Sequence, residues 1–198
     1  MKTKQAQRRD AIMQIALDMF REVGFEATSM SQIAARVGGS KATLYNYFAS
    51  KEELLLAAML DEAKKSADTF EAALNDAGEL STQLLRFVRS LLEILQSEET
   101  IKILRVAISV SNTTDVGRQF YELAIVDFWN KVARLLADSV KQGTLRDEDP
   151  CQMARHLRGL CQIDLVPTLM GASVHLSAAE LDKLAQSNVD VFLRAYGA

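Results

Sequence analysis

Residues 28–53, TSMSQIAARVGGSKATLYNYFASKEE, decide the fold of this chain. Ser29 followed by Gln32 is a capping box, in which a hydroxyl and an amide satisfy the first unpaired N–H groups of a helix. A helix therefore begins near Met30. The glycine pair at 38–39 ends it, because glycine readily adopts the positive φ of a helix C-cap.

A second short helix follows the glycines. Ser40 can cap it, and Leu44 and Phe48 lie on one face, so that the residues between them point elsewhere. Ser50 with Glu53 forms another capping box and opens a third helix. Two short helices joined by a tight turn form a helix-turn-helix, whose second helix fits the DNA major groove, although such pairs also occur as plain structure.

From Gly24 to Glu53 the chain resembles the DNA-binding region of the tetracycline-repressor (TetR) family of transcriptional regulators. The matches share one register: Gly24-Phe25, Thr28-Ser29-Met30, Ile33-Ala34, Gly38-Gly39-Ser40, Thr43-Leu44-Tyr45-Asn46-Tyr47-Phe48 and Ser50-Lys51-Glu52. The resemblance implies an all-α protein with a three-helix helix-turn-helix domain at residues 1–51. A larger helical domain at 52–198 would bind an effector and form a homodimer.

The same resemblance implies which residues contact DNA. Lys41 and Ala42 would lie nearest the base edges, and the other candidates would hold phosphates or present backbone N–H groups. The full set is Ser29, Met30, Ser31, Lys41, Ala42, Thr43, Tyr45, Tyr47 and Lys51. As an alternative to contacting DNA, both tyrosines could be half-buried core aromatics whose hydroxyls reach solvent. Arg8 and Arg9 are either DNA contacts or solvated charges.

One position departs from the family pattern. An aliphatic residue usually follows the turn glycine and anchors the recognition helix, whereas this chain has Gly39 there. We therefore expect a looser turn, with part of the ordering cost moved to DNA binding.

Composition and charge agree with an interface at one end. The chain has 198 residues, 48% of them hydrophobic, with 9 glycines and 2 prolines, which favours long helices over a turn-rich β fold. The net charge is −3, yet residues 1–51 hold eight Lys or Arg and four Asp or Glu, a net of +4 that leaves −7 for the rest. A basic N-terminal segment on an acidic body suits a protein that meets phosphates at one end only.

Amphipathic runs divide the remaining chain into helices, for about nine in all. We expect helix 1 from Arg8 after a polar arm, and a fourth helix that ends at a break over residues 75–78. Asp149-Pro150 and Ser177 to Glu180 are helix starts. The later helices are predicted over residues 80–95, 98–110, 116–142, 150–169 and 177–196, and Pro167 should kink or end the one that contains it.

Apolar residues concentrate on the middle helices. The span 101–170, particularly 120–150, resembles the C-terminal domain of the multidrug-efflux-repressor (AcrR/AefR-like) branch, which implies a small hydrophobic or amphipathic effector. Simple core packing is the alternative for each residue of the candidate set, which is Phe87, Leu91, Ile103, Val106, Phe120, Tyr121, Phe128 and Trp129.

Family habit places the dimer interface on the last two long helices. The candidates are Leu157, Cys161, Asp164, Leu165, Leu181, Leu184, Asn188 and Phe192, and the intramolecular core is the alternative. Asp164 lies in an apolar run, so that its carboxylate would need a partner such as Arg158 or Arg194, or would face a ligand.

Other function classes find little support. His156 and His175 lack metal-ligand spacing, and no nucleotide or hydrolase motif appears, so we expect no enzyme, metal or cofactor. Cys151 and Cys161 are predicted to be buried thiols, with a redox sensor as the alternative. The N-terminus lacks a signal-peptide pattern, which favours the cytoplasm. A ligand-responsive repressor is expected; the alternatives are an activator without an effector and a helical protein-binding adaptor.

Overall fold

The computed structural model describes the backbone of residues 3–74, 78–172 and 175–198 and, outside 66–74, their side chains. Within these ranges the regular structure is helical apart from one isolated bridge between Leu145 and Gly197. The all-α fold is therefore confirmed. Residues 75–77 of the predicted break lie outside the described part, and Gly78 is a bend just before the next helix.

The described elements follow the predicted order. They are α1 (Lys4–Val23), α2 (Met30–Val37), α3 (Lys41–Tyr45), α4 (Lys51–Leu74), α5 (Leu80–Leu95), α6 (Glu98–Ser109), α7 (Val116–Phe120), a π-helical segment (Tyr121–Val126), α8 (Asp127–Lys141), α9 (Pro150–Cys161), α10 (Leu165–Leu169) and α11 (Ala178–Tyr196). The α-helices number eleven among the described residues. Two of the predicted helices are each divided, which accounts for the difference from nine.

Two predicted boundaries were wrong. The first helix begins at Lys4 rather than Arg8, because the Thr3 hydroxyl accepts a hydrogen bond from the Ala6 N–H at 3.2 Å and caps it. The helix predicted over 116–142 contains the π-helical segment, whose wider turns separate α7 from α8.

Proline explains the second division. α9 ends at Cys161, three turn residues follow, and α10 places Pro167 in its first turn. Proline lacks the N–H that a helix interior needs and its ring clashes with the carbonyl four residues earlier, here that of Ile163. The predicted effect of Pro167 is confirmed.

Tertiary contacts divide the chain into two compact units. The first contains Met1–Lys64 and Lys102–Ala124, and the second contains Lys65–Ile101 and Ile125–Ala198. The chain passes between them within α4, within α6 and within the π-helical segment. The functional division at residue 51 stays a prediction.

In the first unit, α1 packs against α2 and α2 against α3. The Phe20 and Phe25 rings meet with centroids 5.3 Å apart, and Ile33 of α2 is fully buried. Each large apolar side chain buried here contributes about 1.5–3 kcal/mol relative to exposure. This small core holds the two short helices in place.

In the second unit, α11 packs along α5 and α9, and α8 packs along α9. One apolar cluster joins these four helices, and its fully buried members include Leu84, Phe87, Val88, Val132, Leu136, Met153, Leu157 and Ala185. No helix within the described ranges combines the length and apolar character needed to cross a bilayer.

The two cysteines differ in environment. Cys161 is buried, as predicted, and burial raises the pKa of its thiol to about 12. Cys151 is exposed near the start of α9, so the prediction that it is buried was wrong.

Candidate nucleic-acid interface

The turn between α2 and α3 is fixed by hydrogen bonds at the ends of α2. The Ser29 hydroxyl accepts from the Gln32 N–H at 3.3 Å, and Gln32 Oε1 accepts from the Ser29 N–H at 2.8 Å. Gly38 has a φ of 72°, and the Gly39 N–H donates to the Ala34 carbonyl at 2.9 Å. The predicted capping box and glycine C-cap are confirmed, and together they set the direction in which α3 leaves α2.

α3 is a single capped helical turn. The Ser40 hydroxyl accepts from the Thr43 N–H at 3.0 Å, and its oxygen lies 2.8 Å from the Thr43 hydroxyl oxygen. Leu44 and Phe48 are buried and tie α3 and the residues after it to the core. The remaining side chains of α3 are therefore held on the solvent side.

Most of the residues predicted to contact DNA are exposed. The exposed side chains are Ser29, Ser31, Lys41, Ala42, Thr43 and Tyr45. Tyr45 is 45% exposed, and the Lys41 ammonium lies 5.7 Å from its ring centroid, so the cation and the ring share one side of α3. Tyr47 is half-buried, in agreement with the core-aromatic alternative, whereas Tyr45 does not fit that alternative. Met30 is only 7% exposed, which leaves its backbone N–H as the group available to a phosphate.

Lys51 has a structural partner that the sequence did not indicate. Its ammonium donates to the Phe25 carbonyl at 2.7 Å and lies 4.1 Å from the Phe25 ring centroid. The first residue of α4 is thus bonded to the loop between α1 and α2. An ammonium has three N–H donors, so this bond leaves donors for a phosphate as well.

Two arginines of α1 also contact the motif. The Arg9 guanidinium lies over the Phe48 ring, 4.9 Å from its centroid, and Arg8 Nη2 donates to the Val37 carbonyl at 3.4 Å. The sequence left both side chains as either DNA contacts or solvated charges. The sequence near each arginine could not indicate these contacts, because about thirty or more residues separate the two partners.

A further contact in the first unit joins the loop before α2 to the turn after α6. The Thr113 hydroxyl donates to Glu26 Oε1 at 3.3 Å. Residues 102–124 therefore belong to the same compact unit as the helix-turn-helix and bond to the loop that precedes α2. The sequence contained no signal for this contact.

The residues predicted to surround an effector are divided between the two units. Phe87, Leu91, Phe128 and Trp129 belong to the second unit. There the Phe87 ring centroid lies 6.0 Å from that of Phe128 and 6.2 Å from that of Trp129, so the three side chains form one aromatic cluster. The first unit contains the other four, Ile103, Val106, Phe120 and Tyr121.

The predicted dimer residues are mostly core residues of the single chain. Five of the eight are buried, namely Leu157, Cys161, Leu181, Asn188 and Phe192. Asn188 Nδ2 donates to the Leu160 carbonyl at 3.1 Å and so joins α11 to α9 within the protomer. Their burial in the single chain agrees with the intramolecular alternative, because a side chain that its own core covers offers little surface to a second copy. Their part in a dimer interface stays a prediction.

The remaining three dimer candidates are accessible. Leu165 and Leu184 are half-buried, and Asp164 is exposed at the start of α10, where its carbonyl accepts from the Thr168 hydroxyl at 2.7 Å. The expectation of a buried Asp164 carboxylate that needs a partner was wrong for the single chain, since the turn before α10 carries it into solvent.

Family models match both parts of the chain. Residues 12–58 match the model of bacterial regulatory proteins of the TetR family, and residues 82–198 match that of the AefR-like transcriptional repressor C-terminal domain.

Individual proteins agree with these models. A TetR-family regulator from Mesorhizobium loti has 30% identity over 100% of both chains and a TM-score of 0.89. The flavonoid-responsive regulator FrrA has 26% identity, covers 97% of this chain and 98% of its own, and has a TM-score of 0.73. The regulator YhgD of Bacillus subtilis is 26% identical over 148 residues, 72% of this chain and 74% of its own.

The members of this family are transcriptional regulators rather than enzymes, and they bind operator DNA as dimers. Both domain matches, the full-length structural likeness and the helix-turn-helix geometry lead to one conclusion: this chain belongs to the TetR family of transcriptional regulators.

Proposed function

We propose that this regulator is a repressor that binds a near-palindromic operator as a homodimer and is released from it by a small hydrophobic effector. The observation that carries the proposal is the exposed side of α3, where Lys41, Ala42, Thr43 and Tyr45 stand on a helix capped by Ser40. A capped and core-tethered helix presents these groups to a groove with little further ordering.

In the proposed complex, Lys41 donates to guanine O6 or N7 and Ala42 contacts a thymine methyl. Thr43 and Tyr45 hold phosphates, as do the N–H groups at the start of α2 beside Ser29. The N-terminal helices carry few such contacts, so one copy binds weakly. Two copies with recognition helices ~34–36 Å apart would occupy successive major grooves.

We place the proposed dimer surface on the accessible side of the last helices. Leu184 and Val191 are seven residues apart on α11, which puts them on one face, and Val191 is 43% exposed. Asp164 and Leu165 from the original candidates would lie at its edge. Val191→Arg should convert the dimer to a monomer in sedimentation equilibrium, and an unchanged mass would exclude this face.

The proposed effector site rests on the aromatic cluster of Phe87, Phe128 and Trp129 in the second unit. The name of the flavonoid-responsive regulator FrrA supports a hydrophobic ligand. Such a ligand would act by favouring one conformation of the dimer, and it can do so only through a difference in its affinity for the two states. A position among Phe87, Phe128 and Trp129 would place it against buried aromatic surface.

The test begins with duplexes selected by the wild-type protein from a randomised pool. We expect a palindromic sequence to be enriched, and Lys41→Ala to weaken its binding by at least about fivefold, since the loss of one base contact costs ~1–3 kcal/mol, or roughly 5- to 150-fold. Lys141→Ala is the matched control, because Lys141 is an exposed lysine of the second unit that pairs with Asp138. Equal binding by the Lys41 and Lys141 variants would reject the proposed surface.

The effector step has its own assay. The chain has one tryptophan, Trp129, which is 8% exposed, so its fluorescence reports on the proposed site. Addition of quercetin, a flavonoid, should change that fluorescence and release the selected duplex at the same concentration. Retention of the duplex with every hydrophobic compound tried would favour the activator without an effector. Failure to enrich any duplex would favour the protein-binding adaptor.

A further inference from the structure

The turn of the helix-turn-helix contains a glycine that the backbone itself does not require. Gly38 has a positive φ, whereas Gly39 lies outside that region, so a residue with a side chain could adopt its conformation. Some other feature of the chain must therefore account for a glycine at position 39.

The space beside Gly39 is occupied by an arginine from α1. A Cβ added at position 39 would lie 3.3 Å from Arg8 Nη2 and 4.0 Å from the Thr43 Cβ. The same Nη2 donates to the Val37 carbonyl at 3.4 Å. A side chain at position 39 would therefore have to displace the guanidinium or share a tight contact with it.

The chemistry of this contact suits the end of a helix. Val37 is the last residue of α2, and the final four carbonyls of a helix have no partner within it. A cation near those carbonyls is favourable because the helix dipole places negative charge there. Arg8 thus joins α1 to the C-terminal residue of α2. The two glycines that follow this residue set the direction of α3.

We propose that Arg8 is a positioning residue for DNA recognition, and that its guanidinium holds the end of α2 by occupying the space that Gly39 leaves open. Its guanidinium fixes the end of α2 relative to α1, and so fixes the approach of Lys41 and Tyr45 to the groove. The inference rests on the proposed function, since it concerns the same recognition helix.

A direct phosphate contact by Arg8 is the competing role, and salt dependence separates the two. A lost phosphate contact reduces the slope of log K against log salt by about 0.9 per subunit, whereas a lost positioning contact leaves the slope unchanged. We expect Arg8→Ala to weaken binding to the selected duplex about three- to tenfold, the size expected for one hydrogen bond, with the wild-type slope. Arg134→Ala, which removes an exposed arginine of α8, should bind like the wild type.

Amide hydrogen exchange of the DNA-free protein gives an independent measurement. The Gly39 N–H is bonded to the Ala34 carbonyl at the end of α2, so it reports on the order of the turn. It should exchange faster in Arg8→Ala than in the wild type, while amides of α8 remain unchanged. A slope reduced by about 0.9 per subunit together with unchanged Gly39 exchange would overturn the positioning role.

A double-mutant cycle tests whether Gly39 and Arg8 act together. A methyl group at position 39 would need only a small shift of the guanidinium, so the larger side chain of Gly39→Val is used to displace it. Adding Arg8→Ala in the Gly39→Val background should then cost little further affinity. Independent effects, with the two fold-changes multiplying, would overturn the proposed coupling. If Lys41→Ala weakens binding but Arg8→Ala does not, the recognition surface stands and this inference fails. If no duplex is enriched, the proposed function itself fails.

Discussion

Replacement of Lys51 by methionine is the sharpest test of how the helix-turn-helix is held together. The ammonium donates to the Phe25 carbonyl at 2.7 Å and lies 4.1 Å from the ring of the same residue. A hydrogen bond to a charged group contributes about 1.5–3 kcal/mol, and a cation–π contact at an accessible site about 0.5–1 kcal/mol. Lys51 is half-buried, so solvent screens part of both, and Lys51→Met should lower the free energy of unfolding by about 2 kcal/mol.

Urea denaturation followed by circular dichroism measures this loss. For a chain of this size about 2 kcal/mol corresponds to a decrease of roughly 4–8 °C in Tm. Lys141→Met is the matched control, because the Lys141 ammonium pairs with Asp138 at 2.8 Å while its side chain is 75% exposed. An exposed pair of this kind contributes about 0–1 kcal/mol.

A result in which both methionine variants lose the same small amount would refute the assignment of Lys51 to the Phe25 loop. Phe25→Leu supplies a second check, since it removes the ring and keeps the carbonyl. In a double-mutant cycle, the Lys51→Met and Phe25→Leu substitutions should show an interaction free energy of about 0.5–1 kcal/mol. This is the contribution of the cation–π contact alone, because the hydrogen bond to the backbone carbonyl of residue 25 does not depend on the ring.

Further predictions concern other parts of the fold. Gly117→Ala should destabilise the protein in urea titrations, because the added Cβ would lie 2.8 Å from the Ala107 carbonyl oxygen, and overpacking of about 1–3 kcal/mol exceeds the gain in helix propensity of about 1 kcal/mol. A thiol reagent at pH 8 should modify Cys151 and spare the buried Cys161 until the protein unfolds, as mass spectrometry would show. Hydrogen bonds from the N-cap serine of α11 lower the pKa of Glu180, so its carboxylate stabilises the fold above the unfolded-state pKa and loses that effect as the pH falls through the lowered value. Glu180→Gln should flatten the acidic side of the stability curve.

Local signals predicted several helix starts, although the Thr3 cap of α1 was missed. Ser29, Ser40 and Ser177 each cap the helix that the sequence assigned to them, because a cap needs only residues three positions apart. Pro167 likewise acts through its own ring and missing N–H. The recognition surface could also be predicted from neighbouring residues, since burial of Leu44 and Phe48 fixes which side of α3 faces solvent.

Contacts between distant residues could not be predicted in this way. Lys51 and Phe25 are 26 positions apart, and nothing in either neighbourhood indicates the other. An apolar stripe on α11 also looks the same in sequence whether it covers the protomer core or a second copy. In the structure, Leu181, Ala185 and Phe192 of that stripe are buried within the single chain, and Asn188 bonds to the Leu160 carbonyl of the same protomer.

The interleaving of the first unit restricts how this regulator can be recombined with others. Residues 102–124 belong to the same unit as the helix-turn-helix although residues 65–101 of the second unit lie between them in the chain, and Thr113 bonds to Glu26. A chimera made by one splice after the recognition helix would pair Glu26 with a foreign α6–α7 turn. New operator specificity is therefore better introduced by exchanging only the exposed side chains of α3, between Lys41 and Tyr45, than by transplanting the whole helix-turn-helix domain.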